Sequence, residues 1–171
     1  MRSIVLVAMI SACASSSVET QAAKLGNLAY DAPADWHHTD THEPRSTTAT
    51  WVPTDNNERK ESLIVIRSQL DPALAKAGAP EVERLLAAAQ RELPQLSLSK
   101  TTTQFVTDHG LTAMRLEADF VPVGQKSKYH RTHIALIDGA TLIHLIYTSP
   151  DPDPEQRALI SVLQSIHHEE T

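Results

Sequence analysis

KYHRTHIALIDGATLIHLIYTSPDPDPEQRALISVLQSI, residues 128–166, decides the fold class. Two apolar, β-branched runs flank Asp138-Gly139, a dipeptide that suits a type I′ turn because both central residues then take positive φ. With those two at the centre, Ile137 faces Ala140, Ile134 faces Ile143, His133 faces His144 and His130 faces Tyr147. One face of the hairpin then carries Ile134, Leu136, Ile143, Leu145 and Tyr147. The other mixes Arg131, His133 and His144 with Ala135, Ile137, Leu142 and Ile146, so both sides of the sheet are expected to be at least partly covered. Three prolines in Ser149–Pro154 end the second strand, since each removes a ladder donor. Asp153 fits a helix N-cap, with Pro154 at the first helical position and Gln156 three residues after the cap. Ala158, Leu159, Val162, Leu163 and Ile166 recur at helical spacing, and the sheet just completed is their expected partner.

Outward from this stretch, Leu28 and Tyr30 share one face of a short strand, and Thr47–Val52 reads as a strand anchored by Trp51. Between them His37–Arg45 is polar, holds Pro44, and reads as an exposed loop. Leu63–Leu70 reads as an interior strand. Asp71-Pro72 starts a short turn that ends at Gly78, and a helix is expected from Pro80 to Leu93 with Val82, Leu85, Leu86, Ala89 and Leu93 as its stripe. Strands are expected over Leu96–Val106, Leu111–Val121, Tyr129–Ile137 and Thr141–Thr148, with a hairpin turn at Asp108-His109-Gly110. In the second of these Thr112, Met114, Leu116, Ala118 and Phe120 form an apolar face, and Arg115, Glu117 and Asp119 a largely wet one. Short consecutive connections imply antiparallel pairing. The expected class is therefore α+β: a twisted antiparallel sheet of about six or seven strands with helices packed on it.

The 171 residues are 41% hydrophobic and 4% aromatic, which suffices for one domain with an aliphatic core. A formal charge of −6 and scattered Lys and Arg argue against nucleic acid bound through its phosphates. Residues 1–12 read as a signal segment: Arg2 precedes the apolar run Ile4–Ile10, which is far too short to span a bilayer. Ile10-Ser11-Ala12-Cys13 looks like the bacterial lipobox, in which the cysteine becomes the lipidated first residue of the mature protein. The departure is length, since only twelve residues precede the cysteine. Residues 13–25 read as a flexible tether, Ser- and Ala-rich over Ala14–Lys24, and 26–168 as a single domain. This pattern implies a bacterial envelope protein, lipid-anchored through Cys13, at the outer membrane facing the periplasm.

Tyr30-x-x-Pro33-x-x-Trp36, the Gly110 and Asp138-Gly139 turns, and Leu142–Ser149 followed by a helix ending Leu163-Gln164-Ser165-Ile166 resemble the PsbP/DcrB-like group. That group includes bacterial lipoproteins and Ran-binding Mog proteins. The resemblance spans most of residues 26–168 and rests on loose spacings. It implies an α/β/α sandwich and a non-enzymatic binding or assembly role, with no catalytic residue and no cofactor attached.

Nine histidines are the compositional oddity. His37, His38 and His42 could hold a transition metal, although no cysteine completes a shell, and a solvated loop is the plainer reading. His133 and His144 form a candidate pH-sensitive pair, and His167 and His168 suit the negative end of the last helix. Neither Gly-x-Ser-x-Gly nor His-Glu-x-x-His occurs. Ser97–Lys100 is a Ser-x-x-Lys placed on a strand, where residues three apart point to opposite faces. The leading expectation is a non-enzymatic envelope module that binds a protein or a small ligand. The alternative is a metal-handling or pH-responsive periplasmic protein.

Overall fold

The computed structural model describes residues 19–55, 60–70, 84, 96–98, 103–107, 110–122, 124–150 and 156–168. The strands are β1 (Thr20–Leu25), β2 (Leu28–Pro33), β3 (Trp36–Glu43), β4 (Ser46–Pro53), β5 (Ser62–Gln69), β6 (Leu96–Leu98), β7 (Thr103–Val106), β8 (Thr112–Phe120), β9 (Tyr129–Asp138), β10 (Thr141–Ser149) and β11 (His167–His168). One helix with described bounds, α1 (Arg157–Ser165), joins β10 to β11. Among the described residues eight strands form a large sheet in the order β3-β4-β5-β10-β9-β8-β6, with β7 following β6 along the same edge of β8. Three form a small sheet, β1-β2-β11. Every pairing among the described residues is antiparallel.

This corrects the expected α+β class and the α/β/α sandwich. The described part is mostly β, and its second layer is another sheet rather than a row of helices. The core lies between the layers. Leu63, Val65, Ile134, Leu136, Ile143, Leu145 and Tyr147 of the large sheet pack with Leu28, Tyr30 and Ala32 of β2 and with Ala158, Leu159 and Val162 of α1. Each such fully buried aliphatic side chain contributes about 1.5–3 kcal/mol. On the opposite face of the large sheet Leu70, Met114, Ala135 and Leu142 make a second buried cluster, so both faces of the central hairpin are covered.

Helix α1 begins later than the Asp153-Pro154 pattern predicts. Gln156, expected three residues inside the helix, is itself the residue before it, with φ 40° and no side-chain cap. The helix packs chiefly on β2 and only touches β10, because its serines serve the edge of β2. Two-residue β11 pairs with Ala29 and Leu28 and stops there. Beyond it the Asp31 N–H donates to Ser165 Oγ at 2.7 Å, and Ser161 Oγ donates to the Asp31 carbonyl at 3.1 Å. Two hydroxyls thus replace a missing strand. His167 and His168 pair as β11 just past the helix end, where His167 Nδ1 lies 2.6 Å from the carbonyl of Ser165, the last helical residue.

Other boundaries move for local reasons. The tether expected over 13–25 gives way at Thr20 to β1, a strand paired with β2 along its whole length. The polar loop expected at His37–Arg45 is β3 plus a two-residue turn, Pro44-Arg45. Leu96–Val106, expected as one strand, is the two short strands β6 and β7. Arg115 and Glu117, expected on a wet face, are half-buried at the rim of the main core, where Arg115 Nη2 meets the Glu117 carboxylate and donates to Gln156 Oε1 at 3.1 Å. The stretch 71–83 and 85–95, with its expected turn and helix, lies outside the described residues, as do Cys13 and Asp153-Pro154.

The central hairpin closes one residue later than Asp138-Gly139 suggested. Thr141 pairs with Asp138, so Gly139 and Ala140 form the loop. Gly139 has φ +56° and Ala140 is not in the left-handed region, the pattern of a type II′ turn with glycine first. Because a Cβ at Gly139 would meet nothing within 4 Å, the cost of adding one is purely backbone strain. Gly139→Ala is expected to lower stability by about 1–2 kcal/mol, read by urea unfolding. A neutral effect would mean that the hairpin closes through another turn.

Candidate functional site: a buried histidine pair and an exposed histidine strand

Shifting the loop by one residue shifts the cross-strand sum by two. His133 now lies opposite Ile146, and His144 opposite Ala135. Side-chain direction alternates with period two, so an even shift leaves both histidines on the same face as diagonal neighbours. Their ring centroids are 5.0 Å apart and tilted by 46°, and His133 Nε2 lies 2.8 Å from His144 Nδ1. One ring donates and the other accepts. The accepting ring must be neutral, and two neutral imidazoles in complementary tautomers meet this geometry.

The surroundings enforce neutrality. Leu116 of β8 lies opposite His133, Ile66 of β5 opposite His144, and no carboxylate faces the pair from any of these strands. Arg131, two residues before His133 on the same face, adds a positive charge. Burial, then the neighbouring His144 and Arg131, press His133 down to about 3. Burial alone brings His144 to about 4. The Arg131 guanidinium is itself held below its ordinary range by burial. It sits 4.8 Å over the Phe120 ring, and its Nε donates to Thr148 Oγ1 at 3.2 Å.

The proposed metal trio is not assembled. Adjacent strand residues point to opposite faces, so His37 stands apart from His38 and His42. His38 stacks on Trp51 at 4.3 Å, and its Nε2 lies 3.8 Å from Asp40 Oδ1. Among the described residues no group of three histidines, cysteines, aspartates or glutamates could hold a metal ion. His130 and His168 make pairwise contacts that join elements. His130 Nδ1 lies 2.9 Å from Asp119 Oδ1, while Lys128 Nζ reaches Asp119 Oδ2 at 2.7 Å. Lys128, and then His130, hold the Asp119 carboxyl below the usual carboxylate range. His168 Nε2 is 2.8 Å from Asp138 Oδ2 and its Nδ1 is 3.0 Å from the Asn27 amide, which ties the small sheet to the end of β9. Nothing in the sequence marked the Asp119 and Asp138 contacts. They depend on which strands neighbour one another, and spacing along the chain does not encode that.

Neither a protein-family profile nor a curated protein matches the chain. Among solved structures it is similar to one from Bacteroides thetaiotaomicron, with a TM-score of 0.53 at 13% identity, over 84% of this chain and 46% of that one. The chain therefore spans about half the length of that relative. It is also similar to a Pseudomonas aeruginosa protein described as of unknown function and as a candidate regulator. There the TM-score is 0.47 at 15% identity, over 89% of this chain and 99% of the other. The first likeness carries the fold alone. Neither description names an enzymatic activity.

Proposed function

We propose that this chain is a lipid-anchored bacterial envelope protein whose β-sandwich serves as a non-enzymatic binding or assembly module, at the outer membrane and facing the periplasm. The single observation behind the anchor is Ile10-Ser11-Ala12-Cys13 at the end of the apolar run Ile4–Ile10. A thioether-linked diacylglycerol there, with a further acyl chain on the amine, would anchor stably, because each buried methylene contributes about 0.8 kcal/mol. Six residues separate Cys13 from Thr20, where β1 begins, a reach of at most about 24 Å. The folded part would be held close to the bilayer surface.

The non-enzymatic half draws on how the described histidines and carboxylates are used. His133 engages His144, Asp119 engages Lys128 and His130, and His168 engages Asp138, each contact joining strands of the sandwich. Of the two alternatives raised by the histidines, the metal-handling one is not supported by the geometry of β3. The pH-responsive one retains the His133–His144 contact, and its consequence is a matter of stability.

The anchor is tested by fractionation. Wild-type chain is expected in the membrane fraction, resistant to high salt and released by detergent, with an acylated Cys13 peptide in mass spectrometry. Cys13→Ser is expected in the soluble fraction with an unchanged far-UV spectrum. Release of the wild type by salt alone, or an unmodified Cys13, would remove the anchor.

A further inference from the structure

The edges of the two sheets are protected unequally. On one side the large sheet ends in β6 and β7, three and four residues long, and short edges recruit other strands poorly. In the small sheet α1 serves the edge of β2 through Ser161 and Ser165, and the outer strand β1 carries Lys24. The far side of the large sheet is different. Strand β3 is eight residues long, pairs with β4 without a bulge, contains neither lysine nor proline, and exposes seven of its eight side chains.

The backbone of β3 has a defined free side. Its two-residue turn makes Glu43 and Ser46 the first hydrogen-bonded pair of the β3–β4 ladder. By alternation Thr41 and Thr39 also turn their N–H and C=O groups toward β4. His38, Asp40 and His42 turn theirs away, where the sheet order places no further strand of the described residues. The carbonyl of Trp36 is already taken by the Gln21 side-chain amide at 2.8 Å. The free stretch is therefore His38–His42.

We propose that β3 pairs antiparallel with β3 of a second copy of this chain, about a two-fold axis at Thr39. Strand self-pairing requires outward-facing groups to meet outward-facing groups, so the axis must fall at whole-residue positions near the middle of the free stretch. An axis at Asp40 sets two carboxylates against each other. An axis at His38 sets two imidazoles against each other and leaves Asp40 opposite the partner's Trp36. An axis at Thr39 sets His38 against the partner's Asp40 and Asp40 against the partner's His38, two complementary pairs from one symmetric contact. An axis at Thr41 sets Asp40 against the partner's His42 equally well, but it puts His38 opposite Pro44 of the partner's turn, which has no N–H to give the ladder. Charge and the position of the turn together select the register, and the paired large sheets run on across the interface. This interaction does not depend on Cys13 or on its lipid.

The test uses the full chain carrying Cys13→Ser, which leaves no other thiol. Sedimentation equilibrium is expected to give twice the 18.8 kDa chain mass. In that background Thr39→Cys is expected to form an interchain disulfide under mild oxidation, since the two copies of residue 39 face each other in a closely spaced pair. Thr41→Cys, which the register sets opposite the partner's His37, is expected not to. Asp40→Lys removes both carboxylates from the complementary pairs and is expected to weaken the dimer about tenfold, with its far-UV spectrum unchanged and the same melting curve as its parent at dilutions where both are monomeric. A chain that stays monomeric up to its solubility limit would overturn the proposal. So would equal crosslinking at positions 39 and 41, or a monomer that instead takes up a foreign extended peptide along β3.

Discussion

Trp51→Ala is expected to lower the unfolding free energy by about 4 kcal/mol, among the largest losses a single substitution can cause here. The indole is 2% exposed and sits on β4 at the centre of the sandwich. It meets Tyr30 of β2 edge-on, with ring centroids 6.3 Å apart at 80°, and its Nε1–H donates to the Tyr30 hydroxyl at 3.0 Å. On its other side it carries the stacked His38 ring. Tyr30 is buried deeply enough that its phenol is pushed up to about 12, despite the opposing effect of the indole N–H. Truncation therefore removes apolar area, opens a cavity, and leaves a buried hydroxyl without its donor. Because Tyr30 and Trp51 belong to different sheets, the loss falls on the contact between the layers. Trp51→Phe keeps most of the area and loses only the N–H, so about 1–2 kcal/mol is expected. Urea unfolding followed by far-UV circular dichroism reads both. A loss under about 1 kcal/mol for Trp51→Ala would mean that the layers are held elsewhere.

What the sequence made legible follows from period two. The alternation of Ile134, Leu136, Ile143, Leu145 and Tyr147 marked the core face of the central hairpin, and all five lie in the main core. That reading withstood a wrong turn, because the loop slipped by one residue, the register by two, and no side chain changed face. For the same reason His133 and His144 meet although neither lies where the expected register put it. The layer partner was not legible. Thr20–Leu25 alternates only weakly and ends in a glycine turn, so it reads as a linker until β2 is there to pair with it. His37–Glu43 reads as a loop because an exposed edge strand has no buried face to impose alternation. The helix at 157–165 was recognisable from its stripe. Its seat against β2 came from Ser161 and Ser165, whose hydroxyls bond the edge of a strand 130 residues earlier in the chain.

The His133–His144 contact should make the fold acid-labile well above the range where carboxylates titrate. In the folded chain both imidazoles are neutral down to about 4 and about 3. In the unfolded chain each takes a proton near its ordinary value of about 6.5. A native pKa depressed below the unfolded one means that the unfolded state binds more protons, so stability falls as the pH falls through about 6.5. It keeps falling until the folded pair itself protonates. Each histidine contributes about 1.4 kcal/mol per pH unit within that window, so the two together cost about 4 kcal/mol between pH 7 and pH 5. Among the described residues of the flanking strands no carboxylate faces the pair to offset this, and Arg131 on the same face opposes protonation further. Replacing both rings, as His133→Leu with His144→Leu, removes two protonation sites and leaves no orphaned hydrogen-bond partner, whereas either single change leaves one. The double variant is therefore expected to stay near wild-type stability at pH 7 and to exceed it by several kcal/mol at pH 5. Urea midpoints at pH 7, 6 and 5 decide the matter. Parallel pH profiles for the two proteins would show that burial does not hold these imidazoles below their ordinary range in the folded chain.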